Sequence, residues 1–86
     1  MIATYYTHSP GRLADGTLYN SGYFCAAPKR FKLGQKLRIA YPVSGRRITV
    51  TVRDRGCSHL DLSQTAFKAL VGPRYKVIGK VTVKIL

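Results

Sequence analysis

The sequence predicts a mainly β domain, a small barrel of five or six short strands with one short helix, on three observations. Apolar and polar residues alternate in "KLRIAY", "RITVTVR" and "KVTVKIL", the period-2 pattern of strands with one buried face. Only "DLSQTAFKALVG" carries apolar residues at helical spacing. Eighty-six residues make one domain, spanning 1–86, and closing so small a sheet removes the exposed edges that would otherwise pair with other chains.

Each element follows from local chemistry. "IATYY" at the start is rich in β-formers, and "YFCAA" at 23–27 is a further strand candidate. Leu37, Ile39 and Tyr41 share one face of their strand, as do Ile48, Val50 and Val52, and Val81, Val83 and Ile85. Between the first two, "PVSGR" supplies Pro42 and Gly45, the turn residues of a hairpin. The helix falls near residues 62–71, with Leu62, Ala66, Phe67 and Leu70 on one side and Gly72–Pro73 ending it. Asp61 with Gln64 three residues on has the form of a capping box. "THSPGRLADGTLYNSG" reads as a long loop, and loops of this size in small domains are often functional. His8 and Asp15 fall in it, His8 as an exposed polar group and Asp15 beside a flexible glycine.

Fifteen Lys and Arg against three acidic residues give a net charge of +12 and a pI of 10.3. Such a surface attracts polyanions over a long range; nucleic acid, anionic lipid and anionic cell-wall polymers all qualify. The cations are spread along the chain, as expected for solvated strand faces, and no nucleic-acid motif accompanies them. No run of 18 apolar residues is present, so no membrane span is expected, and the start shows no signal-peptide pattern. Cys25 and Cys57 are an even pair in a small chain. They read either as buried thiols or as a disulfide, which would add about 3–4 kcal/mol in the chain-entropy model. Cysteines and histidines at 8, 25, 57 and 59 lack zinc-finger spacing, so neither metal nor cofactor is expected.

Two of the three carboxylates lie seven residues apart in "RDRGCSHLDLS", and the pieces around them have a recognisable order. "ATYY", "ADGTLYN", "CAAPKRFKLGQKLRI", "GRRITVTVRDRG" and "LDLSQTAFKAL" together resemble the six-stranded double-psi β-barrel of rare lipoprotein A, bacterial expansins and barwin-like proteins, over about residues 3–86. "VRDRG" and "LDLSQTAF" are the most specific parts. The resemblance implies a polysaccharide groove, cutting peptidoglycan as a lytic transglycosylase in one branch and loosening or binding wall glycans in the others. It places a functional aspartate on Asp54, a second on Asp61 and a threonine on Thr4. Two groups of the lipoprotein branch, a glutamate and a histidine, are replaced here by Thr17 and Pro28. His59 has a parallel in plant expansins, and the Cys after "DRG" parallels a disulfide-bonded Cys of barwin-like members.

The chemistry these residues support is bounded. Glycoside hydrolysis by two carboxyl groups requires separations of about 5–5.5 Å or 6.5–9.5 Å, and Asp54 and Asp61 are the candidate pair. A transglycosylase needs one carboxyl group that donates a proton and later takes one back, a role Asp54 can fill. Thr4, Tyr6, Arg55 and His59 are the candidate sugar-binding set, Tyr6 because one of two adjacent strand tyrosines must face outward. The structural alternatives are a turn at Asp54 after a strand over 48–53, a helix cap at Asp61, and packing for the tyrosines. The function expected is action on a wall polysaccharide, with peptidoglycan as partner and anionic wall polymers held by the basic surface. The alternative is a non-catalytic binding or loosening module, including a virion or secreted structural component. Either places the chain outside the cytoplasm or on a virion.

Overall fold

A computed structural model describes residues 1–7, 11–56, 58–72 and 79–86. His8, Cys57 and Pro73 lie outside the described residues. Six strands and one helix follow in the order β1 (Ala3–Tyr6), β2 (Phe24–Ala27), β3 (Lys36–Tyr41), β4 (Arg46–Arg55), β5 (Leu60–Ser63), α1 (Gln64–Val71) and β6 (Thr82–Ile85). The sheet order is β1-β5-β2-β4-β3-β6. Pairs β1/β5 and β2/β4 are parallel, while β2/β5, β3/β4 and β3/β6 are antiparallel. The mainly β, six-stranded architecture with one short helix is the one the sequence predicts.

The curled sheet is drawn together at its outer strands. Ile2 bridges Lys80, the Val81 N–H donates to the Met1 carbonyl at 2.8 Å, and the Ala3 N–H donates to the Gly79 carbonyl at 3.0 Å. Inside lie Leu37, Ile39, Val50, Val52, Leu60 and Leu62, with Ala66, Phe67, Leu70 and Val71 of α1 against them. Each fully buried Leu or Val side chain contributes about 1.5–3 kcal/mol. The alternation in β3 and β4 therefore reports the buried face correctly. Around β6 it does so only in part: Val81, just before the strand, is buried and Val83 partly buried, but Ile85, at the outer edge strand, is exposed. The hairpin closes at Gly45, whose φ of 70° is glycine territory and whose N–H reaches the Tyr41 carbonyl at 3.0 Å.

Two local expectations are corrected. Asp61 does not cap the helix, because it lies within β5, paired to Thr4 of β1 and Ala26 of β2. The cap is Ser63. Its buried hydroxyl accepts from the Ala66 and Phe24 amides at 3.3 Å each and donates to the Gly22 carbonyl at 2.8 Å. Asp54 is not a turn residue after the strand, since β4 runs on to Arg55. The strand has room to continue because it gains a second partner in β2 beyond the end of its β3 pairing at Lys36–Thr51.

Candidate functional site

Register builds the site. Ala26 pairs with Asp61 on one side and Asp54 on the other, and Asp61 pairs with Thr4. Thr4, Asp61, Ala26 and Asp54 thus form a row across four neighbouring strands. Strict alternation would turn Asp54 the same way as Val50 and Val52, into the core. A bulge prevents this: Cys25 pairs with Val52 but Ala26 pairs with Asp54, leaving Arg53 as the extra residue. Bulges re-aim side chains, and this one turns Asp54 away from the core. Two strand spacings put the backbones of Asp54 and Asp61 about 10 Å apart.

At one end of the row Asp61 is gripped. Its Oδ1 accepts the Thr4 hydroxyl and lies 3.1 Å from His59 Nε2. The His59 and Asp61 side chains are 38% and 31% exposed, open enough to meet a ligand. At the other end, Asp54 Oδ1 accepts the amides of Ala14 and Arg55 at 2.9 Å each. The Ala14 bond ties the long loop to the row. Near Asp54 lies the Tyr6 hydroxyl, buried and without a geometrically formed hydrogen bond among the described residues. Burial first, and the Asp54 charge second, push its pKa well above the ordinary tyrosine value. Tyr6 is therefore a neutral phenol held beside Asp54.

The loop over this face is not loose at Asp15. The Asp15 carboxylate meets Arg53 Nε at 3.4 Å and accepts the Thr17 amide at 2.9 Å and hydroxyl at 2.5 Å. Burial acts to raise its pKa, but the Thr17 hydrogen bonds and the Arg53 guanidinium outweigh this and hold it below the ordinary value. Arg53 also donates to the Thr17 hydroxyl, to Asn20 Oδ1 at 3.1 Å and to the Leu18 carbonyl at 3.0 Å, and lies 4.4 Å over the Phe24 ring. Tyr6, Tyr19 and Phe24 contact one another edge to face beside it, and the Tyr19 hydroxyl donates to the Tyr6 carbonyl at 2.6 Å. Sequence reasoning missed this latch. Its signal was "DGT", an aspartate positioned to accept from its own backbone two residues on.

The remaining candidates divide. Thr17 is held by Arg53 and Asp15, and Pro28 is buried with its carbonyl 3.4 Å from Arg55 Nη1. Arg55 donates from the same nitrogen to the Phe31 carbonyl, so it braces the 28–31 turn. Cys25 is a buried free thiol, its pKa pushed up to about 12 by burial and then by Asp61. The partner expected for a disulfide, Cys57, lies outside the described residues.

A double-psi barrel with a carboxylate row on one outer face is thus the class of protein that fold and site define. Residues 1–85 match the family model described as lytic transglycolase, and the chain belongs to that family. It is 38% identical over 74 residues to the uncharacterized protein ssl3177 of Synechocystis sp., covering 86% of this chain and 79% of that one. Streptomyces papain inhibitor shares 31% identity and a TM-score of 0.71, over 100% of this chain and 93% of its own. The apo expansin of Clavibacter michiganensis gives a TM-score of 0.69 over 98% of this chain and 48% of its own. At 22% identity the latter likeness is one of fold. No helix among the described residues is long and apolar enough to cross a membrane.

Proposed function

We propose that the domain acts on peptidoglycan outside the cytoplasm as a lytic transglycosylase, with Asp54 as general acid and base. The single observation that carries this reading is the row Thr4, Asp61, Ala26, Asp54, created by the bulge at Arg53. Asp54 passes its proton to the glycosidic oxygen as the bond from that oxygen to the anomeric carbon breaks. A hydroxyl of the same sugar then attacks the anomeric carbon and its proton returns to the Asp54 carboxylate, so no second carboxyl group at hydrolase spacing is required. Asp61, held by Thr4 and His59, binds sugar hydroxyls and faces the developing positive charge from across Ala26. The Ala14 and Arg55 amides hold Asp54 in place, with the Tyr6 phenol beside it. Membership of the lytic transglycolase family supports this assignment.

A second reading is favoured by one specific observation. Thr17 and Pro28 stand where the lipoprotein branch has a glutamate and a histidine, and Thr17 is bound to Arg53 and Asp15. On this reading the row binds wall glycan without cleaving it, as an expansin- or barwin-like module or a structural component does. The name of the Streptomyces relative adds a protein-directed variant, tested by adding this protein to a papain assay.

Digestion of purified peptidoglycan separates the readings. Wild-type protein is expected to release soluble fragments with anhydro ends, and Asp54→Asn to release none. Release by the variant at the wild-type rate removes Asp54 from the acid role; pelleting with the wall but no release by either protein selects the binding module.

A further inference from the structure

The outer face of β4, β3 and β6 carries a different chemistry from the carboxylate row. Arg38 of β3 pairs with Thr49 of β4 and directly with Lys84 of β6, while Lys36 pairs with Thr51. Arg47 lies two residues before Thr49, on the same face. Lys36, Arg38, Arg47 and Lys84 are all exposed. Like charges directly opposite one another weaken a sheet, and here Arg38 and Lys84 face each other with no acid on the three strands before Asp54. The two ion pairs among the described residues, Arg53–Asp15 and His59–Asp61, both belong to the carboxylate end of the outer face.

We propose that this face is a second binding surface, separate from the glycan row, for a phosphodiester polymer of the wall such as a polyol phosphate. Lys36 and Arg38 stand about 7 Å apart along β3, and Arg38 and Lys84 about 4.8 Å apart between strands, a spacing suited to an extended chain of phosphates. Threonines stand between them as neutral donors. Among the described residues, the outward positions of β3, β4 and β6 carry no aromatic side chain, and Phe24, which pairs with Thr51, is buried with Arg53 over its ring. Bases of single-stranded nucleic acid therefore find no stacking platform here, which favours a polymer without bases. The choice of a wall polymer rests on the function proposed above; the cationic face itself does not.

The test is a titration of labelled poly(glycerol phosphate), and separately of a single-stranded oligonucleotide with the same number of phosphates, over a range of salt concentrations. The protein carrying R38Q, R47Q and K84Q together is compared with wild type, with thermal unfolding as the folding control. The triple variant is expected to bind poly(glycerol phosphate) at least about tenfold more weakly, with a log–log salt slope shallower by about 2. Equal binding by the two proteins overturns the proposal, as does an oligonucleotide that binds wild type as tightly as the polymer. Peptidoglycan stripped of phosphate polymers separates this claim from the catalytic one: the triple variant should release fragments from it at the wild-type rate. If wild type releases none while the polymer arm behaves as expected, the surface stands and the glycan reading falls.

Discussion

The two sides of the outer sheet face differ in how their charges are met. On the β1-β5-β2 side, with the end of β4, all three acids are engaged: Asp15 by Arg53 and Thr17, Asp54 by two amides, and Asp61 by Thr4 and His59. On the β4-β3-β6 side, cations face one another across the strands. Strand β4 belongs to both, and its bulge marks the boundary: Arg47, Thr49 and Thr51 precede it and Asp54 follows. The engaged side resembles a site whose groups are held in place for a reaction, the unmatched side a surface whose counter-charges come from a ligand.

The comparison breaks most completely at Asp54. Asp54→Asn keeps an oxygen for the Ala14 and Arg55 amides but cannot cycle a proton, so fragment release should fall by about 100-fold or more with the fold intact, as read by peptidoglycan digestion and circular dichroism. Next comes the latch. Arg53→Ala removes bonds to Thr17, Asn20 and Leu18 and leaves Asp15 only its Thr17 partners, at a cost of about 1–3 kcal/mol in denaturant unfolding. Because Asp15 titrates lower in the folded chain than in the unfolded one, its contribution is present above its ordinary value of about 3.9 and is lost as pH falls through the folded value. Wild type should lose stability over that acid range, and Asp15→Asn should flatten the loss. Ser63→Ala, which removes a cap and leaves the Gly22 carbonyl and Phe24 amide short of a partner, should cost about 1–2 kcal/mol. The smallest effect has the opposite sign. Arg38→Thr relieves the repulsion with Lys84 and should stabilise by about 0.2–1 kcal/mol; a destabilised variant would mean that the two cations are already accommodated.

Much of this was legible from residue order. Alternation in "KLRIAY" and "RITVTVR" assigned the buried faces, and Pro42 with Gly45 assigned the hairpin. "DLSQTAFKALVG" assigned the helix and its stop at Gly72, where φ is 75° and the N–H returns to the Lys68 carbonyl at 3.1 Å. The helix start was misread because Asp61 has the right side chain for a cap. Two neighbouring strands claim it instead, and their pairing is invisible in a local window. Asp15 was misread for the same reason, since its partner Arg53 is distant in sequence.

What the sequence determined by itself is therefore the set of elements, the residues that face inward, and the scarcity of negative charge that makes each carboxylate conspicuous. All of these are local or compositional, set by side-chain period and turn chemistry. The tertiary structure alone decided that Asp54 turns outward and joins Asp61 in one row. That outcome depends on a one-residue slip between β2 and β4, and register between distant strands is fixed by packing the whole sheet, not by the residues of either strand.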